Sequence, residues 1–479
     1  MATRTPEVDL SDELVSEFGD NAAYVAELLA RYRTNPAAVD DEWRRYFRSR
    51  FGEPEPEPAA SSAAPAPAAE PSRAPGAVFP AGPAVEGERH AIRGGALRIA
   101  ENMEASLSVP TATTQRQIPV KLADENRRLI NEERASSEQP KISFTHLFAW
   151  AIIRALDAFP GMNDAFDASS GEAARVRRKD VNFGLAVDVA KADGSRTLLV
   201  PNVKGVQAMT FAQFAAAADD VVTRARTGKI KVSDFEGTTI SLTNPGTLGT
   251  TASVPRLMPG QGAIIATGAI EYPAQFRAMA PATLSNLAIS KVVTFTSTYD
   301  HRIIQGAESG AFLARVEELL LGAHGFYDGI FADLGIRFRP LRWEPDKNPP
   351  LLPDGHRDEI AKQARVLELI NAYRVRGHLI ADIDPLRTRE IANHPELDLE
   401  TYGLTIWDLD REFWTGGLKG GDRLPLREIV AVMRRVYCGK IGIEYRHISS
   451  PEEKNWIRQR VAAAASAPPL PSDLRRKIL

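Results

Sequence analysis

The feature that most constrains the fold is a long stretch of low complexity near the start of the chain. Residues 52–90 consist largely of Pro, Ala, Glu and Ser, with few large aliphatic side chains. Such a segment cannot bury enough apolar surface to offset the entropy lost on ordering it. Its prolines favour extended backbone of roughly 3.1 Å per residue. We therefore expect a linker that separates residues 1–51 from the rest of the protein.

Composition limits the classes of function. A chain of 479 residues is too long for one ordinary core, so several domains are expected. The net charge of −3 shows no excess of basic residues, which argues against nucleic acid as a partner. The single cysteine, Cys438, excludes a disulfide framework and a cysteine-rich metal site, and no metal ligands are predicted. Without a signal peptide or a membrane-spanning apolar run, we expect a cytoplasmic protein with no membrane partner.

Residues 1–51 are predicted to form two short helices. Apolar side chains recur there at helical spacing, and Asn35-Pro36 divides them because proline disfavours a helical residue before it. Two such helices bury too little surface to be stable alone. We interpret them as a docking segment with an aromatic face, and packing on the protein's own core is the alternative. That face contains Phe18, Tyr24, Leu28, Tyr32, Trp43 and Phe47.

The segment 91–326 alternates helical and strand patterns, which predicts an α/β (α+β) domain. Residues 141–159 are apolar on nearly every face, indicating a buried helix in which His146 is a packing residue. Residues 181–189 and 197–203 are predicted strands around a turn at 192–194. Residues 291–299 alternate apolar and hydroxyl side chains, which is typical of a half-buried strand, and a helix is expected over 307–321.

The predicted catalytic groups follow two strand ends. His301 comes directly after the strand 291–299, at a strand-to-helix turn that can aim a base into a cleft. Thr243 and Asn244 end a second predicted strand before Pro245, where a hydroxyl and an amide can stabilise an oxyanion. Arg302 is expected to hold the turn by an ion pair.

These two motifs, with the segments between them, resemble the catalytic domain of dihydrolipoamide acyltransferases, which share an HxxxDG signature with chloramphenicol acetyltransferase. The resemblance implies a chloramphenicol-acetyltransferase-like mixed sheet with flanking helices. It also implies a homotrimer in which His301 of one chain and Thr243 of the next serve one site, with coenzyme A as a substrate. Gln305 departs from the family, because most members have aspartate there, and an amide supplies no negative charge.

Many members of this family carry a lipoyl domain before the linker. In that domain the lipoyl group is attached to a lysine side chain. Here the first lysine is Lys121, so the resemblance implies that the acyl-lipoyl group arrives on another protein. The expected partners are a lipoyl-bearing acyltransferase component and dihydrolipoamide dehydrogenase.

Beyond the acyltransferase domain we expect an irregular linker over 327–356, anchored by Leu341 and Trp343, and a mainly helical segment over 357–479. The strings YRVRGHLIADIDPL and LREIVAVMRRVYCGKIGIEYRHI, like the segment FGDNAAYVAELLARYRTNPAAVDDEWRRYF, are similar to 2-oxoglutarate dehydrogenase. In that family His378 would lie near the cavity for the 2-oxo acid. Full-length relatives use thiamine diphosphate and Mg²⁺ held by a Gly-Asp-Gly segment, which this sequence lacks, so decarboxylation is not expected here.

The combination resembles the actinobacterial multifunctional 2-oxoglutarate metabolism enzymes, in which an acyltransferase domain is fused into the decarboxylating component. This chain is similar to their N-terminal part. The expected activity is transfer of succinyl from S-succinyldihydrolipoamide to coenzyme A within the 2-oxoglutarate dehydrogenase complex of the tricarboxylic acid cycle. The alternative is a catalytically weak trimeric scaffold that docks other components of the complex.

Overall fold

The computed structural model describes residues 17–18, 21–51, 87, 95–190, 196–258, 260–347, 355–384, 386, 388, 391, 393–418 and 422–464. The expected linker 52–90, apart from Gly87, and the expected turn 192–194 lie outside these residues. The chain divides into two compact units. The first comprises Met1–Gln117, Phe148–Ala269 and Thr294–Glu317, and the second comprises Ile118–Leu147, Ile270–Val293 and Glu318–Leu479.

Helices occur throughout the described ranges. In chain order they are α1 (Ala22–Thr34), α2 (Asp41–Phe51), α3 (Gly95–Ser106), α4 (Lys121–Ser136), α5 (Phe144–Ala155), α6 (Phe211–Arg226), α7 (Pro281–Asn286), α8 (Gly306–Leu320), α9 (Phe326–Leu334), α10 (Gly355–Arg376), α11 (Leu426–Tyr437) and α12 (Pro451–Ala464).

The strands are mostly short. They are β1 (Thr111–Pro119), β2 (Ala165–Asp167), β3 (Ala174–Val176), β4 (Phe183–Leu185), β5 (Val187–Ala190), β6 (Arg196–Leu199), β7 (Asn202–Val203), β8 (Ile240–Thr243), β9 (Ala263–Thr267), β10 (Val292–Asp300), β11 (Glu412–Trp414) and β12 (Arg423–Pro425).

The main sheet has six strands in the order β1-β10-β9-β8-β4-β7. Strands β4, β8 and β9 run parallel to one another, whereas β10 is antiparallel to β9 and β7 is antiparallel to β4. The hairpins β2–β3 and β5–β6 form separate two-stranded sheets. The expected mixed sheet with helices is therefore confirmed.

Helix α5 is buried, as its continuous apolar pattern predicts. The ring of Phe148 meets Phe295 of β10 edge to face at 5.1 Å, and Trp150 stacks on Phe214 of α6 at 5.7 Å. At the start of the helix, the backbone N–H of Ser143 donates to Nδ1 of His146, and the N–H of His146 lies 3.3 Å from the Ser143 hydroxyl. The predicted packing role of His146 is confirmed.

The expectation of a half-buried strand at 291–299 is wrong, because β10 is buried on both faces. The hydroxyls of Ser297 and Thr298 pair with other hydroxyls, whereas that of Thr296 is buried with no hydrogen-bond partner among the described residues. The hydroxyl oxygen of Thr298 lies 3.2 Å from that of Thr113. The hydroxyl oxygen of Ser309 in α8 lies 2.9 Å from that of Ser297 and 2.6 Å from that of Thr114. Because a satisfied hydroxyl can be buried at little cost, alternation of polar and apolar residues did not mark a solvent face here.

The aromatic face of residues 1–51 is not an open docking surface, so this part of the prediction is corrected. Five of its six side chains are buried within the first unit: Phe18, Leu28, Tyr32, Trp43 and Phe47. The sixth, Tyr24, meets Phe235 edge to face at 5.8 Å. The two helices are divided at Asn35-Pro36 as expected, and Asn35 caps the following turn.

Specific hydrogen bonds accompany this packing. The Trp43 indole donates to the carbonyl of Ile230 at 2.9 Å. The amide side chain of Asn21 donates to the Val200 carbonyl at 3.0 Å and accepts from the Val200 N–H at 2.7 Å, as a neighbouring strand would. Aromatic burial and paired backbone groups together explain why the helices complete the core of this unit rather than present a free face.

In the second unit, the predicted linker 327–356 is irregular only in part. Helix α9 occupies residues 326–334, because apolar side chains at helical spacing there are buried. The predicted anchors are confirmed: Leu341 exchanges two backbone hydrogen bonds with the side chain of Asn126, and the ring of Trp343 meets Trp407 edge to face at 5.3 Å. The later residues are mainly helical, as expected.

A network of alternating charges links α4 and α11 within the second unit. Lys121 and Glu125 pair at 2.9 Å, Arg427 pairs with Asp410 at 2.5 Å, and each cation also contacts the other's carboxylate. Burial alone would raise the pKa of Asp410, but Lys121 and Arg427 hold it below its ordinary value.

No helix in the described part of the chain is long and apolar enough to span a membrane.

Candidate active site

His301 lies where β10 gives way to α8, as the sequence predicts. Its backbone N–H donates to the carbonyl of Pro110 at 2.9 Å, which fixes the turn against the residue before β1. The side chain is exposed, and the ring of Tyr299 stands edge-on to it at 5.7 Å. The strand end therefore presents the imidazole at the surface of the first unit.

The tautomer of His301 follows from one contact. Its Nδ1 lies 3.1 Å from the backbone carbonyl of Ile304. A carbonyl only accepts hydrogen bonds, so a bond at this distance requires the proton on Nδ1. In the neutral imidazole, Nε2 then carries the lone pair that a general base needs. The Ile304 carbonyl was not predictable as the partner of His301, because every residue has a backbone carbonyl and residue type therefore does not mark it.

Asp300 and Arg302 hold the turn. The Asp300 carboxylate is buried and accepts from the Arg302 backbone N–H at 3.0 Å and from its guanidinium at 2.6 to 3.2 Å. Hydrogen bonding to Asp300 raises the pKa of Arg302, and the guanidinium lies 3.7 Å from the centre of the Phe166 ring. The expected structural role of Arg302 is confirmed, and Asp300 is committed to Arg302 rather than to His301.

Gln305 immediately precedes α8. Its backbone carbonyl accepts from the N–H of Ser309, while its side chain is exposed. Among the residues that the structure describes, none forms a hydrogen bond with the Gln305 amide. Within the described residues, this amide therefore orients no catalytic neighbour.

Thr243 is the last residue of β8 and is half-buried. Asn244 follows and occupies the position before the tight turn Pro245–Leu248, without a side-chain capping hydrogen bond to it. Glycine is required in this turn, since a Cβ on Gly246 would lie 2.2 Å from the backbone of Gly268. Close packing of these two backbone segments fixes the position of Thr243 and Asn244 at the end of the sheet.

One chain does not bring His301 and Thr243 together. Across the sheet, Thr243 is level with Ala266 of β9, which is level with Thr296 of β10. The end of β10 at Asp300 lies four residues further on, about 14 Å at ~3.4 Å per residue, and two strands away at ~4.8 Å each. The backbone separation is thus roughly 17 Å, far beyond hydrogen-bond reach. The two groups occupy opposite ends of the sheet.

His378 lies in the second unit, in the short turn Gly377–Ile380. Its Nε2 is 3.9 Å from a carboxylate oxygen of Glu444, and its Nδ1 is buried with no hydrogen-bond partner among the described residues. Within the described ranges, no group of three or more His, Cys, Asp or Glu side chains is placed to hold a metal ion.

Comparison with protein families identifies two segments. Residues 85–325 match the family described as 2-oxoacid dehydrogenases acyltransferase (catalytic domain). Residues 17–50 match the family described as 2-oxoglutarate dehydrogenase N-terminus.

Curated relatives extend the similarity along the chain. A "Multifunctional 2-oxoglutarate metabolism enzyme" of Mycobacterium sp. (strain JLS) is 50% identical over 383 residues, which is 80% of this chain and 30% of the relative. The protein of the same name from Mycolicibacterium vanbaalenii is 43% identical over 499 residues, 95% of this chain and 39% of the relative. The chain thus spans well under half the length of these relatives.

Two solved structures are also similar. The dihydrolipoamide acetyltransferase of Azotobacter vinelandii is 25% identical, with 53% of this chain and 100% of that chain covered and a TM-score of 0.44. A probable dihydrolipoamide acetyltransferase from Listeria monocytogenes is 22% identical, with 49% and 94% covered and a TM-score of 0.42.

Proposed function

Because the chain belongs to the 2-oxoacid dehydrogenase acyltransferase family, we propose that it transfers an acyl group from S-acyldihydrolipoamide on a partner protein to coenzyme A. The observation that carries this proposal is the contact between His301 Nδ1 and the Ile304 carbonyl, which leaves Nε2 as the base. A thiol acceptor is weakly ionised at neutral pH and needs such a base.

The reaction proceeds through a tetrahedral intermediate. Nε2 of His301 takes the proton of the coenzyme A thiol as its sulfur attacks the thioester carbonyl. The Thr243 hydroxyl donates to the oxyanion that forms, with the amide of the adjacent Asn244 as a further donor. When the carbonyl re-forms, the dihydrolipoamide sulfur leaves and takes the proton from the His301 imidazolium, so protons and charges balance.

This mechanism needs two copies of the chain. His301 and Thr243 are roughly 17 Å apart along one sheet by strand register, so a single chain cannot place both on one thioester. We propose that His301 of one copy faces Thr243 of its neighbour in a homotrimer, and that Gln305 finds its hydrogen-bond partner across the same interface.

Succinyl is the proposed acyl group, and the 2-oxoglutarate dehydrogenase complex is the proposed setting. The support is the name of the curated relatives and the N-terminal match to 2-oxoglutarate dehydrogenase. A lipoyl-bearing component and dihydrolipoamide dehydrogenase are the proposed partners. His378 remains a predicted contact for a 2-oxo acid in the longer relatives.

Thiamine diphosphate with Mg²⁺ does not fit the residues present. The sequence has no Gly-Asp-Gly segment, and the described residues offer no cluster of carboxylates and imidazoles for the metal. We therefore derive no step through that cofactor.

The test is a succinyl transfer assay with purified protein, succinyl-dihydrolipoamide and coenzyme A. His301→Ala is expected to lower the rate by about 10² to 10⁴, and Thr243→Ala by about 10² to 10³. Unchanged sedimentation of both variants controls for assembly. A wild-type protein that forms the trimer yet transfers no acyl group would favour the scaffold alternative instead.

A further inference from the structure

A cavity of about 400 Å³ opens within the second unit, and none of the groups of the proposed reaction lines it. Its walls come from α4, from the segment after α9, and from α11 and the residues that follow it. Most of the lining surface is apolar, and charged side chains stand among the apolar ones. The charged residues are Glu132, Glu133, Arg337, Asp382, Arg434, Arg435 and Lys440.

One pair of these charges is already neutralised. Arg337 binds Glu133 through two parallel bonds of 2.6 and 3.0 Å, and its remaining donor reaches the carbonyls of Ile380 and Cys438. A bidentate pair of this kind has little charge left for a ligand. The cavity therefore retains three cations, Arg434, Arg435 and Lys440, and two carboxylates, Glu132 and Asp382.

Arg434 is held ready for an anion. Its guanidinium lies over the ring of Phe338 at 4.4 Å, and its Nε donates to the Tyr373 hydroxyl at 3.3 Å. Arg434 lines the cavity, and among the described residues none accepts a hydrogen bond from its two terminal nitrogens. Stacking on the ring and one hydrogen bond fix the orientation of the planar guanidinium. Its two terminal nitrogens match the spacing of the oxygens of a carboxylate or phosphate.

The remaining walls suit the uncharged part of a small molecule. Leu129, Ala135, Phe338 and Ala431 are apolar, and Cys438 lies among them. Burial raises the pKa of the Cys438 thiol to about 12, so at neutral pH the thiol is protonated and is not a nucleophile. The volume lies within the usual range of small-ligand pockets, about 300 to 1,000 Å³.

From this geometry we propose that the cavity is a binding site for a small organic oxyanion, a carboxylate or a phosphate ester, with Arg434 as the anchor. Arg435 and Lys440 attract the ligand at the rim, and the apolar walls hold its carbon skeleton. Because α4 and α11 both line the cavity, binding stabilises the second unit by mass action. The site is independent of acyl transfer.

The test uses the whole chain and two simple probes, inorganic phosphate for the phosphate class and malonate for the carboxylate class. Thermal melting is followed against probe concentration, with sodium chloride at matched ionic strength as the reference. At least one probe is expected to raise the melting temperature in a saturable way. Arg434→Gln should raise the half-saturating concentration at least about tenfold, as loss of a charge-assisted hydrogen bond predicts.

Two further variants keep the result interpretable. Arg435→Gln at the exposed rim should raise the half-saturating concentration by about three- to tenfold, and it decides the matter if Arg434→Gln does not fold. Arg446→Gln removes an exposed charge outside the lining and should behave as wild type. The proposal is overturned if neither probe exceeds the salt reference, or if the Arg434 and Arg435 variants respond as wild type does.

Discussion

The separation of His301 and Thr243 predicts that two inactive variants restore activity when they assemble together. His301→Ala and Thr243→Ala chains are co-expressed with different affinity tags, and assemblies that contain both are purified over two columns. Each intact site needs His301 from a Thr243→Ala chain and Thr243 from a His301→Ala chain. Two neighbouring chains of different type can follow one another in two orders around a head-to-tail ring. Only one of these orders places the intact His301 against the intact Thr243.

The magnitude follows from counting interfaces in a cyclic trimer. Whichever variant contributes two chains, one of the three head-to-tail interfaces pairs an intact histidine with an intact threonine. Mixed trimers should therefore show about one third of wild-type succinyl transfer per trimer, far above either variant alone.

The matched control replaces the Thr243→Ala chain with a chain carrying both substitutions, so that no interface is intact. If the mixed assemblies transfer acyl groups no faster than this control, the two residues do not meet across an interface and the reasoning from strand register is wrong. Transfer in the control itself would remove His301 from the mechanism.

Three further predictions test the fold and the site. Trp43→Ala should cost about 3 to 5 kcal/mol of unfolding free energy and lower the melting temperature of the first unit, because the indole is buried and bonded to Ile230; an unchanged melt would restore the docking role. The pKa of Asp410 is lowered in the folded state, so its contribution to stability is present above its unfolded value of 3.8 and is lost as the pH falls below it. Wild type should therefore exceed Asp410→Asn in denaturant stability at pH 7, with the gap closing toward pH 3; a constant gap would contradict this account. Gln305→Asp should leave transfer unchanged or faster, and a large loss would show that the amide itself is required.

Local pattern determined much of the fold in advance. Helix α5 was predictable because an apolar side chain on every face has no stable place except a core. The order of strand end, His301 and helix was predictable, because the hydrophobic periodicity of a strand or a helix can be recognised within about ten residues. The ion pair of Arg302 was predictable, although its partner was not named in advance, since residues two apart around a turn meet whatever the rest of the chain does.

What the sequence could not determine depends on which distant surfaces meet. The aromatic face of α1 and α2 has the pattern of a helix that buries one side, and that pattern is the same whether the cover is a partner or the chain's own Val200 and Ile230. The hydroxyls of β10 predict a solvent-exposed face, whereas in the folded chain Ser309 and Thr113 lie opposite two of them.

The site shows the same division. Residue type and local pattern alone identify the candidates for the chemistry, because an imidazole and a hydroxyl at strand ends are recognisable in the sequence. Only the tertiary structure decided that Ile304 orients the imidazole and that strand register separates His301 from Thr243 by roughly 17 Å. It likewise assembled the cavity around Arg434 from segments about 300 residues apart in the chain. Periodicity is a property of neighbours in sequence, whereas register and enclosure are properties of neighbours in space.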